Sequence, residues 1–243
     1  NKWKDNISFI LVEPKEAGNI GASARAMKNM GFRNLELVNP KDIYTDAARC
    51  MAYNALDVLE KAKIHKRFED AMQDKSLIVG TTRRLGRRRG LIIPLKDSAK
   101  RIINASKKNK VAVLFGREDK GLNNKEVGEC GFLITIPSDM SFPSLNLAQS
   151  VLLVAYELSQ KTYKTGAPDL VKCNELDPLY KHIRSTLKLL DYIPRGNRDL
   201  EAKIMRNLKH LINRAGLTDW ELRMLHGICS QIEKRVREQW RIC

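Results

Sequence analysis

Short apolar runs alternate with helix-like stretches over the first two thirds of the chain. The run ISFILVEP at 7–14 is followed by the run LELVNP at 35–40, and a stretch with Ala and Met at helical spacing separates them. Buried parallel strands have this unbroken apolar character because helices cover both of their faces. The alternation therefore predicts an α/β fold in which a mostly parallel sheet carries helices on both faces.

The same alternation continues to about residue 163. The first helix is expected to follow a glycine-containing turn after the first strand and to end at Gly31. The segment IHK at 64–66 is interpreted as a short connection. Further strands are predicted at 76–81, 111–116 and 132–137, and further helices at 46–62, 68–74, 97–107, 123–128 and 147–163.

The last third has a different character. The segment KTGAPDLVKCNEL combines glycine, proline and polar residues, which is typical of a linker. Helices are predicted beyond it at 177–191, 198–215 and 219–240, where Gly216 ends the second helix and Thr218 forms a capping box with Glu221. Leu208, Leu211, Leu225 and Ile228 are among the residues expected to pack these helices together. The predicted organisation is a main domain at 1–163, a linker at 164–176 and a small all-helical C-terminal extension at 177–243.

The charge balance indicates the kind of partner. The chain has 44 Lys and Arg against 28 Asp and Glu, a formal net charge of +16. Such an excess favours a polyanionic partner over a merely soluble basic surface, and it is concentrated in RRLGRRRG at 83–90 and KRIINASKKNK at 100–110. Because no run approaches the roughly 20 apolar residues of a transmembrane helix, nucleic acid is favoured over a membrane.

The cysteines indicate no metal. Cys50, Cys130, Cys173, Cys229 and Cys243 stand alone, without CxxC spacing. This pattern predicts neither a zinc site nor a disulfide framework. We therefore expect a reducing compartment and a cytoplasmic location.

Three segments place Gly, Asn, Ser or Pro between an apolar run and a helix: GNIGASARAMKNMGF at 18–32, VLFGREDKGL at 113–122 and ITIPSDMSFPSLNLAQS at 134–150. Each is expected to be a loop at a strand end that faces a ligand. The first lacks the GxGxxG order of a dinucleotide site, and no GxxxxGK[ST] motif for a nucleoside triphosphate is present.

Each segment has a functional and a purely structural interpretation. The helix start with Asn19 could receive an anion toward which Arg25 points, or Asn19 could be a cap. Gly116 could allow a flat ligand such as adenine to approach the backbone, or the turn could be a charged surface turn with Glu118 paired to an arginine. In the third segment a helix cap accounts for Asn146 or its neighbour Ser144, but not for the length of the loop.

Together the segments resemble the motifs of the SpoU-TrmH family of RNA 2'-O-ribose methyltransferases, in the SPOUT class, and its TrmJ-like branch above all. The shared motifs are N-x-G-x-x-x-R from Asn19 to Arg25, F-G-x-E-x-x-G-L from Phe115 to Leu122, and the pairing of I-P with S-L-N-L between Ile136 and Leu147. The resemblance covers about 1–163. The helical tail, with LDYIP and LHGICSQIE, is similar to the C-terminal extension of the TrmJ-like members.

The resemblance implies a C-terminal trefoil knot in the α/β domain, a homodimer and the cofactor S-adenosylmethionine. Carried over by position, the implied cofactor contacts are Thr81, Thr82, Arg83, Gly116, Ile136, Ser144 and Leu145. The implied catalytic set is Arg25, Ser144, Asn19, Glu118 and Asn146. A knot departs from the general tendency of chains to avoid threading, and no residue pattern in the sequence itself indicates one.

Chemistry limits what these residues can do. Methyl transfer from a sulfonium needs in-line alignment and removal of the hydroxyl proton, and an arginine, with a pKa above about 12, is a poor general base. We therefore expect Arg25 to hold an RNA phosphate and the ribose oxygen, while Ser144 or a phosphate oxygen takes the proton. The arginines after the strand at 76–81 are interpreted as an RNA clamp: Arg83, Arg84, Arg87, Arg88 and Arg89.

The function predicted from the sequence is an S-adenosylmethionine-dependent RNA 2'-O-ribose methyltransferase that acts on tRNA, at anticodon-loop position 32 as the resemblance implies. Two alternatives stay open at this point. One is a methyltransferase of rRNA, and the other is a noncatalytic RNA-binding protein on the same fold.

Overall fold

The computed structural model describes residues 2–84, 90–139, 141–160, 168–193 and 198–240. The strands are β1 (Ile7–Val12), β2 (Asn34–Val38), β3 (Lys63–His65), β4 (Leu77–Thr81), β5 (Ile92–Pro94), β6 (Val111–Phe115) and β7 (Phe132–Thr135). The helices are α1 (Ala17–Asn29), α2 (Asp46–Ala52), α3 (Leu56–Glu60), α4 (Phe68–Met72), α5 (Leu95–Ser106), α6 (Asn124–Glu129), α7 (Leu147–Ser159), α8 (Cys173–Leu189), α9 (Arg198–Ala215) and α10 (Asp219–Trp240).

The seven strands form one sheet in the order β3-β2-β1-β6-β4-β7-β5, and all six pairings are parallel. The chain runs outward from β1 to one edge and then returns to build the other half. In an open parallel sheet of this kind, a ligand cleft is expected outside the carboxyl ends of the strands.

Alternate side chains of the central strands enter different cores. Phe9 of β1 and Val113 of β6 join α1, α5 and α7 in one apolar cluster. Ile10 and Leu114, one residue further along, join α4 and α6 in the other. Helices therefore cover both faces, and the predicted α/β class and parallel sheet are confirmed. The implied trefoil knot stays a prediction.

Several predicted boundaries were wrong. The segment interpreted as a connection overlaps β3, and β5 was missed; these three-residue strands are the two edges of the sheet. The first helix begins at Ala17, so the first motif lies inside α1 instead of in a loop. The tail begins with α8 at Cys173, four residues before the predicted start.

The ends of the helices follow the predicted local chemistry in other places. Gly31 and Gly216 have φ of +78° and +70°, the left-handed conformation that ends a helix. Thr218 and Glu221 form the predicted capping box at the start of α10. Along the described parts of the chain, every helix is too short or too polar to cross a membrane.

The tail has a small core of its own. Leu179, Met205 and Ile212 are buried there, and the predicted packing residues Leu208 and Leu225 contact them. Leu211 and Ile228 were predicted to pack as well, but they are 51% and 48% exposed. The helices turn these two positions away from their neighbours, so that part of the prediction was wrong.

Candidate active site

An open cleft lies at the carboxyl ends of β4, β6 and β7. Its floor and walls come from the ends of these strands and from the loops that follow them. The lining residues are Thr81, Thr82, Arg83, Arg84, Phe115, Gly116, Arg117, Glu118, Asp119, Lys120, Gly121, Leu122, Ile136, Pro143, Ser144, Leu145, Leu147 and Ser150. The cleft therefore lies at the carboxyl ends of the strands, where a ligand site is expected in a parallel sheet.

The loop after β6 folds back tightly on itself. A Cβ atom at Gly116 would lie 2.1 Å from the carbonyl carbon of Gly121 and 2.2 Å from the nitrogen of Leu122. Gly121 has φ of +64°, and a Cβ there would meet no atom within 4 Å. Gly116 is thus required by the loop's own backbone, and its predicted part in the approach of a ligand stays a prediction. Gly121 presents bare backbone to the open cleft.

Glu118 receives the N-terminus of α1. Its carboxylate accepts hydrogen bonds from the backbone N–H of Lys15, at 3.1 Å, and of Glu16, at 3.4 Å. It also accepts one from Asn19 Nδ2 at 3.1 Å. Orphan N–H groups at a helix start favour an anion. The anion expected at this helix is therefore a carboxylate of the chain itself.

Asn19 joins the first segment to the third. While its Nδ2 donates to Glu118, its Oδ1 accepts from Asn146 Nδ2 at 2.9 Å. Asn146 is also the cap of α7: its Oδ1 accepts from the N–H of Ala148, and Gln149 completes a capping box. The cap interpretation holds for Asn146 and not for Asn19, whose side chain caps no helix.

One chain of hydrogen bonds, Glu118 to Asn19 to Asn146, therefore connects all three segments. Sequence positions 99 and 127 residues apart are held within hydrogen-bonding distance. These three side chains bond to one another and to backbone, so the geometry makes them positioning residues for the loops around the cleft. A direct part in catalysis stays a prediction for them.

Arg117 fixes the loop after β6 through ion pairs with Glu13 and Glu126. No role for this residue was predicted from the sequence. Its guanidinium forms a bidentate pair with Glu126 at 2.9 and 3.0 Å and a further pair with Glu13 at 2.8 Å. The side chain of Glu126 is 3% exposed. Hydrogen bonds to these carboxylates raise the pKa of Arg117, and the bond from Arg117 lowers that of Glu13. The N-x-x-E spacing of Asn123 and Glu126 was the only local signal, and it marks the capping box of α6.

All seven predicted cofactor residues line the cleft. Thr81 Oγ1 donates to the carbonyl of Leu114 at 2.9 Å, and Thr82 N–H donates to that of Ile134. Ser144 is exposed at the cleft wall. The structure thus brings these residues together, and their part in binding a cofactor stays a prediction.

Arg25 is placed differently. It is exposed on α1, its Cζ lies 5.5 Å from the ring centroid of Tyr53, and it is not among the described residues that line the cleft. Gly21, between Asn19 and Arg25, is explained by helix packing, since a Cβ there would lie 2.0 Å from the carbonyl oxygen of Ala48 in α2. In a single chain, therefore, Arg25 and the cleft are separate.

The predicted RNA clamp is described in part. Arg83 and Arg84 line the cleft, and Thr82 Oγ1 accepts from the N–H of Arg84 at 3.1 Å. Arg87, Arg88 and Arg89 lie outside the described residues. The first two arginines of the clamp are thus placed where an RNA at the cleft would meet them.

Two family models match this chain. Residues 6–156 match the model of the SpoU rRNA Methylase family, and residues 174–241 match that of the C-terminal domain of the tRNA methyltransferase TrmJ. An uncharacterized tRNA/rRNA methyltransferase of Haemophilus influenzae is 35% identical over 239 residues, which is 96% of this chain and 96% of that protein.

Two further relatives span nearly the full length. The tRNA (cytidine/uridine-2'-O-)-methyltransferase TrmJ of Photorhabdus laumondii is 33% identical, over 95% of this chain and 98% of its own. The crystal structure of TrmJ from Z. mobilis ZM4 aligns with a TM-score of 0.77 and 32% identity, covering 93% of this chain and 98% of that one. The similarity includes both the cleft-bearing part and the helical tail.

Proposed function

Because this chain belongs to the SpoU rRNA Methylase family, we propose that it is an S-adenosylmethionine-dependent RNA 2'-O-ribose methyltransferase whose substrate is tRNA. The observation that carries the proposal is the hydrogen-bonded junction of Glu118, Asn19 and Asn146, which holds the three motif segments around one cleft. The TrmJ-type tail and the full-length similarity to tRNA 2'-O-methyltransferases favour tRNA over rRNA.

The cleft fits S-adenosylmethionine in its chemistry. Ile136, Pro143 and Leu145 supply apolar surface, and the bare backbone of Gly121 faces the open space, which suits an adenosine held by main-chain groups. Thr81, Thr82, Arg83, Gly116, Ile136, Ser144 and Leu145 are the residues that would hold it. Bound there, the cofactor supplies an activated methyl group on sulfur.

The chain's own contribution is then alignment and proton removal. Since an arginine is a poor general base, we assign to Arg25 a bidentate contact with an RNA phosphate beside the target ribose. Ser144, exposed at the cleft wall, or an RNA phosphate oxygen takes the hydroxyl proton. The noncatalytic alternative is disfavoured because Glu118, Asn19 and Asn146 make specific bonds around a cleft that a plain RNA-binding surface does not need.

A homodimer is part of the proposal. The inward side of α7 buries Val151, Val154 and Leu158, yet the outward side is apolar too: Leu152 and Leu153 are each 38% exposed. An exposed apolar patch on a helix marks a protein–protein contact, and a second copy of the chain would cover it. The dimer also gives Arg25 a route to a cleft that it does not line within one chain.

The finer assignments follow from the same premise. The ribose at anticodon-loop position 32 is the target that the TrmJ-type resemblance implies, and Arg83, Arg84, Arg87, Arg88 and Arg89 are the proposed RNA clamp. A protein that modifies tRNA works where tRNA is found, and we propose the cytoplasm.

The test uses the purified full chain. S-adenosylmethionine binding is measured by calorimetry, and tRNA and rRNA transcripts are then incubated with labelled cofactor and mapped for 2'-O-methylribose by mass spectrometry. We expect cofactor binding and one methyl group on tRNA at position 32, and none on a tRNA with 2'-deoxyribose there. Methylation of rRNA alone would replace the tRNA proposal, and a protein that binds tRNA but no cofactor would be the noncatalytic alternative.

A further inference from the structure

A second groove lies between α5, the C-terminal end of α9 and the segment at 168–170. Its volume is about 460 Å3. The charged residues that line it are three cations, Lys100, Arg101 and Arg214, and one carboxylate, Asp97. A groove in which cations outnumber anions three to one attracts an anion.

Arg101 is held in a fixed orientation at this groove. Its guanidinium donates a hydrogen bond to the backbone carbonyl of Arg214, and its Cζ lies 4.8 Å from the ring centroid of Phe132. That hydrogen bond uses one of the five N–H donors of the group. Burial, and then the nearby positive charge of Arg214, lower the pKa of Arg101. An anion at the groove would relieve this repulsion between two like charges.

The described residues at the two ends of the connection between β4 and β5 lie near the cleft and near α9. At one end of this connection, Arg83 and Arg84 line the cleft. At the other end, a Cβ at Gly90 would lie 3.4 Å from the ring of His210 on α9. Leu77, which lines the groove, is the first residue of β4 and so stands at its amino end, whereas the cleft is at the carboxyl ends of the strands.

The face of α9 that lies beside Gly90 has further basic residues. Arg206, His210 and Arg214 are four residues apart, so they lie in one row on the helix. Arg206 and Arg214 are exposed. Since Arg84 and Gly90 are six residues apart, their Cα atoms are at most about 22 Å from each other. One RNA molecule can therefore contact the cleft and the groove together.

We propose that the groove between α5 and α9 binds a backbone phosphate of the substrate RNA, at a second contact site away from the methylation cleft. Lys100 and Arg214 supply the charge, and Arg101 supplies the oriented N–H donors. The inference rests on the proposed function for the identity of the RNA, but on the groove's own geometry for its location. It gives the tail and the main domain a joint role, because one groove takes residues from both.

The test compares two double variants of the full chain that remove the same charge. Lys100→Ala with Arg214→Ala empties the groove of two exposed cations and leaves the backbone carbonyl that Arg101 binds. The matched control is Lys188→Ala with Arg223→Ala. These two cations of the tail are exposed, pair with Glu201 and Asp219, and do not line the groove. Circular dichroism and thermal unfolding verify that both variants fold.

Binding of labelled tRNA is measured by fluorescence anisotropy over a series of KCl concentrations. The groove variant should bind tRNA about tenfold more weakly, and the slope of log K against log salt should fall in magnitude by about one. The control variant should keep the wild-type slope. Cofactor affinity, measured by calorimetry, should be the same in all three proteins.

The outcomes separate this inference from the proposed function. If the wild-type protein methylates tRNA but the groove variant keeps the wild-type salt slope, the groove contact is refuted. If the wild type binds no cofactor and methylates nothing, the proposed function fails, while a reduced slope in the groove variant still supports the phosphate contact. Inorganic phosphate is the further probe. If it stabilises the wild type against heat and not the groove variant, and both bind tRNA equally, the groove is a site for free phosphate and the RNA contact is refuted.

Discussion

The loops at the two ends of the parallel strands use their polar groups in different ways. At the carboxyl ends, Glu118, Asn19 and Asn146 bond to one another around an open cleft. At the amino ends, polar groups close onto the chain segment that leads into the tail. The first arrangement surrounds the cleft, and the second fastens the segment before the tail to the main domain.

The amino-end contacts form a strap of hydrogen bonds. Asn109 is 5% exposed; its Nδ2 donates to the carbonyl of Pro168 at 2.8 Å, and its Oδ1 accepts from the N–H of Leu170 at 2.7 Å. Ser76 Oγ donates to the carbonyl of Leu170, and the N–H of Cys173 donates to that of Lys75. The segment predicted as a linker is therefore bound to the main domain over 168–173.

The difference teaches where a substitution should act. A change at the carboxyl ends should alter binding or turnover at little cost in stability. A change at the amino ends should lower stability and leave cofactor affinity unchanged. The following substitutions test this division, and each has an outcome that would contradict it.

The largest effect is expected for Gly116→Ala. The new Cβ would overlap backbone atoms of Gly121 and Leu122, which cannot move aside as a flexible side chain can. The loop must therefore move from its place beside the cleft, and cofactor affinity should fall about 100-fold, a loss of about 3 kcal/mol in binding free energy. Calorimetric titration measures this. Gly128→Ala is the control, since a Cβ there meets no atom within 4 Å. Wild-type affinity in Gly116→Ala would mean that the loop does not hold the cofactor.

The next effect is expected for Arg25→Lys, which keeps the charge and removes the planar fork. Loss of a bidentate phosphate contact is worth about 1.5–2 kcal/mol, so kcat should fall about 10- to 30-fold. Cofactor affinity should not change, because Arg25 does not line the cleft. Arg33→Lys, at an exposed position, is the control. Full activity with unchanged RNA affinity would remove the bidentate role.

Mixing two inactive variants tests whether Arg25 acts on the cleft of its own chain or on that of a partner chain. When Arg25→Ala and Gly116→Ala chains are combined, each mixed dimer contains one intact cleft and one intact Arg25 on different chains. Recovery of activity on mixing would mean that the arginine acts on the partner's cleft. Absence of recovery would mean that the bound RNA brings the two together within one chain.

At the amino ends, Asn109→Ala should act on stability alone. It leaves the carbonyl of Pro168 and the N–H of Leu170 without their buried partner, a cost of about 2 kcal/mol. For a chain of this size that lowers Tm by about 6 °C. Asn34→Ala, which removes one surface hydrogen bond, should change stability by less than about 0.5 kcal/mol. A loss of cofactor affinity in Asn109→Ala would show that the two ends are coupled.

The same contrast explains what the sequence could and could not predict. Central strands such as β1 and β6 were found because burial on both faces leaves a plain apolar run. The edge strands β3 and β5 were missed because three residues carry no periodicity. Pro94, which ends β5, is tolerated only because this strand is at the edge.

Within the site, the resemblance to the family motifs identified residues that line the cleft, but it did not predict their hydrogen-bond and ion-pair partners. All seven predicted cofactor residues line one cleft. That Glu118 would bind the start of α1, or that Arg117 would pair with Glu13, depends on packing between segments about 100 residues apart. No local pattern encodes such a contact. The sequence also could not show that Arg25 lies away from the cleft.

The smallest effect is expected at Asp74, at the amino end of β4, as the pH falls. Its two carboxylate oxygens pair with Lys75 and Lys110 at 2.7 and 2.8 Å. Burial alone would raise the pKa of Asp74, but these bonds outweigh burial and lower it from 3.8 to about 2. A carboxyl group with a depressed pKa stabilises the folded state above its unfolded value, and that contribution disappears as pH falls from 3.8 through about 2.

The side chain of Asp74 is 39% exposed, and Lys75 keeps its buried partner Glu36, so the contribution should stay below about 1 kcal/mol. Urea unfolding of wild type and Asp74→Asn measures it. The wild type should be slightly more stable at neutral pH, and the two curves should converge as the carboxyl group is protonated. Cofactor affinity at neutral pH should be equal in both proteins. A stability difference that persists in acid would assign the effect to something other than this carboxylate, and a difference in cofactor affinity would break the division between the two ends of the sheet.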